Sequence, residues 1–186
     1  MTALRSTLLP VLLFAFFLLM IGSLTAYSQH QADIWYFGYG AGLDFRNGNP
    51  ISLTDGKSNT LEGCASISSA TDGRLLFYTD GVTVWNAQHQ TMSNGTGLMG
   101  HWTSAQSALI VPFPGDSTHY YVFTAGAGPY ATAPNNGVRY SIVDLTLDGG
   151  KGDITVKNKL LLGTATEMLN ATQHCNSKDY WGWNLI

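Results

Sequence analysis

Charge is what this sequence has least of. Its 186 residues include 9 Lys and Arg and 12 Asp and Glu, 11% of the chain, against about 25% in an ordinary soluble domain. The net charge of −3 is small and no basic stripe is present, so the electrostatic footprint of a nucleic-acid binder is missing and no nucleic-acid partner is expected. Convincing amphipathic helices are lacking from Gln29 onward, because the Glu, Lys and Ala that cover exposed helix faces are scarce. Zinc-ligand spacing is lacking too: His30, His89, His101, His119 and His174 are scattered, and none forms a His-x-x-x-His pair. What remains is rich in glycine (21 residues) and aromatics (12%), a composition suited to short strands joined by tight turns.

The first 28 residues stand apart. Arg5 is the only charged residue before Asp33, residues 8–21 are apolar apart from Pro10, and small residues lead into Ala26-Tyr27-Ser28. A basic start, a short apolar core and small residues at the −3 and −1 positions describe a secretory signal. Cleavage is expected after Ser28, with Ala26 as the second choice. The alternative is an uncleaved anchor, but a span needs about 20 apolar residues, a length reached only by counting the polar stretch to Tyr27. The expectation is a signal peptide at 1–28, a mature domain at 29–186, and a secreted or outer-surface product. The membrane is met only through the signal peptide during export. With no Cys near the cleavage site, a lipoprotein anchor is not expected.

Export changes the meaning of Cys64 and Cys175. They can close one long loop as a disulfide, stabilising by a few kcal/mol, or remain two buried thiols. Each lies inside a strand-like run and disulfide geometry is strict, which favours the thiols.

The mature sequence is a succession of short apolar or aromatic runs broken by turn signals. Thr-Asp-Gly occurs three times, ending at Gly56, Gly73 and Gly81, and Asp-Gly suits hairpins because both turn positions tolerate positive φ. A repeated unit follows, of strand, polar turn and strand ending in aromatics. CASIS at 64–68 is followed by LLFY at 75–78, SALIV at 107–111 by YYVF at 120–123, and ATQHC at 171–175 by Tyr180-Trp181. A further pair, RYSIV at 139–143 and DITV at 153–156, brackets a glycine-rich turn. The repeat of about 40 to 65 residues matches propeller blades with loop insertions. The expected fold is all-β: a partial β-propeller-like array of antiparallel blades, with about two blades and the start of a third.

The stretches WYFGYGAGLDF, EGCASIS, DGRLLFYTDGVTVWN, NGTGLMG, QSALIVPFPG, YYVFTAG, YSIVDLTLDGGKGD and ATQHCNSKDYW, in this order from Trp35 to Trp181, resemble one family. It is the N-terminal propeller-like region of large surface proteins of gliding bacteria, which end in a gliding-motility-associated C-terminal domain, the sorting signal of type IX secretion. The resemblance implies a secreted or surface-displayed multidomain protein, of which this is a truncated copy. It supplies no catalytic residue set.

In that frame Glu62, Gln106, Gln173 and His174 open inner strands, which line the central channel of a propeller where ligands commonly sit. Their alternative role is to bond backbone groups between blades. Trp35, Trp85, Trp102 and Trp181 offer aromatic faces for stacking on sugars; most are expected in the core, with Trp102, in the loop Gly100-His-Trp-Thr-Ser, the one expected to be exposed. Two functional classes follow, beside a third reading of a purely structural fragment with no independent role. The first is a non-enzymatic adhesion or binding module, with an extracellular glycan or protein as partner and no cofactor or metal. The second is a glycosidase-like enzyme, which needs paired carboxylates, and for which Glu62, Asp80 and Glu167 are the available acids. Residues 79–85, TDGVTVW, have the outline of a single sialidase Asp-box turn. Gly38 to Gly42 reads as a glycine-rich turn rather than a phosphate loop, and Asp148 and Asp153 as a hairpin turn rather than a Ca²⁺ site.

Overall fold

The computed structural model describes residues 30–128, 136–164, 166–173 and 181–182, the last four strand residues 172–173 and 181–182 by their backbone alone. The leader 1–28 and the candidates His174 and Cys175 lie outside the described residues. The chain is nearly all-β. Its strands are β1 (Ile34–Phe37), β2 (Ala41–Asp44), β3 (Ile51–Leu53), β4 (Ala65–Ser68), β5 (Leu75–Thr79), β6 (Thr83–Asn86), β7 (Thr91–Thr96), β8 (Ala108–Pro112), β9 (His119–Ala125), β10 (Val138–Asp144), β11 (Asp153–Leu162), β12 (Thr172–Gln173) and β13 (Trp181–Gly182). Among the described residues, helix is confined to two three-residue 3-10 turns, His30–Ala32 and Asp148–Gly150. No described helix is long and apolar enough to cross a membrane.

Eight strands form one nearly closed, barrel-like sheet in the order β4-β5-β6-β7-β11-β10-β9-β8. It consists of two antiparallel meanders, β4 to β7 and β8 to β11. They meet at a single parallel pair, Ser93 opposite Asp153. Where that ladder stops, side chains continue the seam. Asn94 donates to Asp153 (2.8 Å), Lys157 donates to the Asn94 carbonyl (3.0 Å), and the Asn158 amide both donates to the Gly97 carbonyl (2.8 Å) and accepts from Met99 N–H (3.2 Å). Asn158 takes left-handed backbone angles (φ 56°) to make this reach. β1, β2 and β3 form a separate three-stranded sheet, and β12 pairs with β13.

Alternation decides which face each strand buries. Between the two meanders lie Ile67, Phe77, Val84 and Met92 from the first and Ile110, Tyr120, Val122, Val143 and Ile154 from the second. The opposite face of the first meander carries Tyr78 and Trp85, which pack against Ile34 and Tyr36 of β1. Ser66 and Ser68 on that face bond β1 through their hydroxyls: Ile34 N–H donates to Ser68 Oγ (3.2 Å), Tyr36 N–H to Ser66 Oγ (3.4 Å), and Ser66 Oγ–H to the Ile34 carbonyl (2.9 Å). The first meander is thus the middle layer of three. The far face of the second meander holds Val111, Phe123, Val138 and Leu169.

The tryptophans divide differently from expectation. Trp85 is in the core, as expected, whereas Trp35 is 47% exposed because it takes the outward position of β1 and rests on Phe45 (ring centroids 5.0 Å apart). The side chain of Trp181 is outside the described residues.

Candidate functional site

β4 and β8 begin beside each other at one end of the sheet, and the residues leading into them build a compact loop cluster. Its centre is Ser107, fully buried. The Ser107 hydroxyl donates to the Asp80 carbonyl (2.7 Å) and accepts from His101 N–H (3.1 Å), while the Ser107 carbonyl accepts from Ala125 N–H (3.1 Å). Gly63, Gly81 and Gly100 surround it so closely that a Cβ on any of them would collide with Ser107. Gly81 also has φ 88°, so it is required twice over, for conformation and for space. Gly63 N–H donates to the Ser104 carbonyl (2.9 Å), joining the approach to β4 with the approach to β8.

Two of the three candidate acids are committed to this scaffold. Asp80 is buried, and its Oδ1 accepts from Val82 N–H (2.9 Å) and Thr83 N–H (2.8 Å), so it closes the β5–β6 turn. Glu167 accepts from Ala105 N–H (3.0 Å) and Gly128 N–H (2.6 Å). Those two backbone donors hold its carboxyl below the usual range, the opposite of what a proton-donating glycosidase acid needs. Gln106 is committed as well: its Oε1 accepts from Leu169 N–H (2.8 Å), and its own N–H donates to the Glu167 carbonyl (3.2 Å). Its side chain thus ties the loop before β8 to the segment around Leu169. Gln173 is placed only as a strand residue, opposite Trp181 in the β12–β13 pair.

Glu62, Trp102 and Gln106 are all exposed, but the Gln106 side chain is tied to Leu169, which leaves Glu62 and Trp102 as the candidates facing solvent. Trp102 is 50% exposed, as the sequence led one to expect, and Leu61 beside it is 55% exposed. The Trp102 backbone is pinned: its carbonyl accepts from Thr60 Oγ (3.1 Å) and Leu61 N–H (3.3 Å). The His101 ring lies 5.9 Å from the indole and is itself held by Thr103 (2.8 Å). An aromatic surface held by its backbone on a glycine-packed loop loses little freedom when a ligand stacks on it.

Cys64 stands just before β4, half-buried, and burial pushes its thiol up, which makes it a poor nucleophile. Its prospective partner Cys175 lies outside the described residues. Asp148 and Asp153 serve the β7–β11 seam, Asp148 accepting from Ser93 Oγ (3.4 Å). Among the described residues no group of three or more His, Cys, Asp or Glu converges as metal ligands.

Two polar clusters had no sequence signal. In the first, Tyr36 Oη donates to Asp55 Oδ1 (2.8 Å), His89 Nε2 lies 3.3 Å from Asp55 Oδ2, and Tyr78 Oη lies 3.1 Å from His89 Nδ1 while accepting from Lys57 N–H (3.0 Å). Tyr78 is stacked between Tyr36 (4.6 Å) and Trp85 (5.3 Å). Burial pushes its hydroxyl up to about 12, and burial with the Asp55 bond pushes Tyr36 higher still. This network fastens the β1–β3 sheet to the first meander, and its partners satisfy one another. The second cluster surrounds His119 at the opposite end of the sheet from Trp102. There the turns between strands frame an open cleft of about 770 Å³ between the two meanders, with Leu76 and Tyr120 among its apolar lining and Arg74 and Asp116 among its charged residues.

Comparison with known proteins adds no relative: no family model, no curated protein and no solved structure matches the chain.

Proposed function

We propose that this chain is a non-enzymatic binding module of an exported surface protein, with Trp102, Leu61 and Glu62 forming its ligand-facing surface. The observation that supports this reading is the half-exposed Trp102 held on a rigid loop, while Asp80, Glu167 and Gln106 around it are spent on backbone bonds. Glycosidase chemistry of the usual kind needs two free carboxyl groups, and of the three candidate acids only Glu62 is not so engaged.

On the same reading the two meanders are successive blades of a propeller-like array. The support is their shared four-stranded antiparallel order, the face-to-face apolar core between them, and the meeting of β4 and β8 at one edge and β7 and β11 at the other. The type IX-secreted surface proteins that the sequence resembles supply the proposed setting, in which the leader at 1–28 directs export and the ligand is an extracellular glycan or protein.

The test is a glycan and matrix-protein array probed with the mature chain and its Trp102→Ala variant. Binding that falls at least tenfold in the variant, with melting unchanged, supports the reading. Binding untouched by Trp102→Ala and by Glu62→Gln refutes this surface. Aryl-glycoside hydrolysis that disappears in Glu62→Gln would replace it with the enzyme.

A further inference from the structure

His119 opens β9 and has a carboxylate at each ring nitrogen. Nδ1 lies 2.7 Å from Asp116 Oδ2, in the β8–β9 turn, and Nε2 lies 3.3 Å from Asp144 Oδ2, at the end of β10. The two arms have the same construction. Asp116 Oδ1 accepts from both N–H and Oγ of Thr118 (2.7 Å each), and Asp144 Oδ1 accepts from both N–H and Oγ of Thr146 (2.8 and 2.6 Å). Two Asp-x-Thr turns therefore present their remaining oxygens to one imidazole from opposite sides. The backbone confirms the join, since Asp144 is paired with His119 across β9 and β10 and Leu145 N–H donates to the Thr118 carbonyl (2.9 Å).

Ionised carboxylates only accept hydrogen bonds. Asp116 and Asp144 are both kept ionised, held down by their threonine partners and by the imidazole, Asp116 to about 2. A ring nitrogen facing either of them must carry a proton, so satisfying both arms takes the imidazolium. Loss of one proton turns one nitrogen into an acceptor aimed at a carboxylate, which repels it. The charged groups that meet the ring are Asp116 from the β8–β9 turn and Asp144 from β10, while Phe113 lies against it as an uncharged neighbour (5.6 Å). Asp116 in turn acts on Tyr120, which also feels Arg74.

We propose that His119 is a proton-operated latch that fastens the β8–β9 turn to the end of β10. Asp116 and Thr118 line the cleft between the meanders, so the latch sets the shape of one cleft wall. Protonated, it holds the turn against β10. Deprotonated, it releases one arm and frees the turn. On the proposed reading the protein is exported, so the latch meets the pH of its surroundings directly.

The experiment is residue-resolved NMR on the mature chain. Ring nitrogen shifts of His119 report its protonation, and exchange protection of the Thr118 and Leu145 amides, corrected for intrinsic rate, reports the turn. Both ring nitrogens are expected to carry protons at pH 6. Protection is expected to fall about tenfold between pH 6 and pH 9, as loss of one charge-assisted hydrogen bond predicts. In Asp144→Asn one arm is weakened, so part of that pH dependence disappears. In His119→Gln protection is low and flat with pH. If His119→Gln does not fold, the wild-type ring signals and Asp144→Asn still decide the matter. A ring with a single proton at pH 6, or turn protection that does not change from pH 6 to pH 9, overturns the latch.

Discussion

The two meanders are built from the same kind of strand, yet they are buried differently. The first is covered on both sides, by the β1–β3 sheet and by its neighbour, so Phe77 on one face and Tyr78 on the other are both inaccessible. The second shares one face with the first. Its far face carries an aromatic ladder, with Phe113 stacked on Tyr121 (4.0 Å) and Tyr121 edge-on to Tyr140 (5.8 Å), whose members stay partly exposed. Aromatic content therefore does not report burial in this fold. Position in the stack of layers does.

That contrast is open to direct attack. The largest effect is expected from Phe77→Ala, which empties a fully buried site between the meanders and should cost about 3–5 kcal/mol, against less than about 2 kcal/mol for Tyr121→Ala, a partly exposed ring on the far face of the second meander. Urea unfolding of the two variants measures both, and equal losses would show that the second meander's far face is as well covered as the middle layer. Next comes Gly81→Ala. A methyl group there meets Ser107 and is strained by φ 88°, so a loss of about 3 kcal/mol is expected, located by hydrogen exchange at the loop end where both meanders begin. A loss confined to the β5–β6 turn would mean that Ser107 moves aside without cost.

The smallest effect is the response to acid. Asp116 in the second meander, and Asp44 and Asp55 in the β1–β3 sheet, all have carboxyls held below the ordinary value by their partners. A lowered carboxyl contributes stability that is present above its unfolded value near 3.9 and is lost as pH falls through the folded one. For Asp116 that window runs from about 4 down to about 2. Its side chain is 37% exposed, and solvent screening keeps the contribution below about 1 kcal/mol. Asp116→Asn should therefore narrow the difference in melting temperature between pH 7 and pH 3 by a few degrees. A difference as wide as the wild type's would assign the acid response to the β1–β3 sheet.

Much of the strand pattern was legible. β4 with β5, β8 with β9 and β10 with β11 fall where alternation and the Asp-Gly and Pro-Gly turns put them, within a residue or two for most ends. β7 was not, because TMSNGT carries one buried apolar side chain, Met92, and owes its place to backbone pairing with β6. Trp102 was legible from its glycine- and serine-flanked loop. The task of Gln106 was not, since its partner Leu169 is 63 residues away, and neither was the meeting of Tyr36, Asp55, Tyr78 and His89. Hydrogen-bond networks assembled from distant turns leave no spacing in the sequence. The continuous sheet was hidden for the same reason, because the join between β7 and β11 rests on one backbone pair and on side chains.

That seam has an evolutionary consequence. Each meander closes its own ladder through backbone bonds that nearly any sequence can make, while the joint between them is written in Asn94, Asp153, Lys157 and Asn158. A handful of codons thus sets the register of this edge, while the apolar core between the meanders holds their faces together. Drift at those few positions would loosen the β7–β11 edge and leave the shared apolar core to hold the two halves.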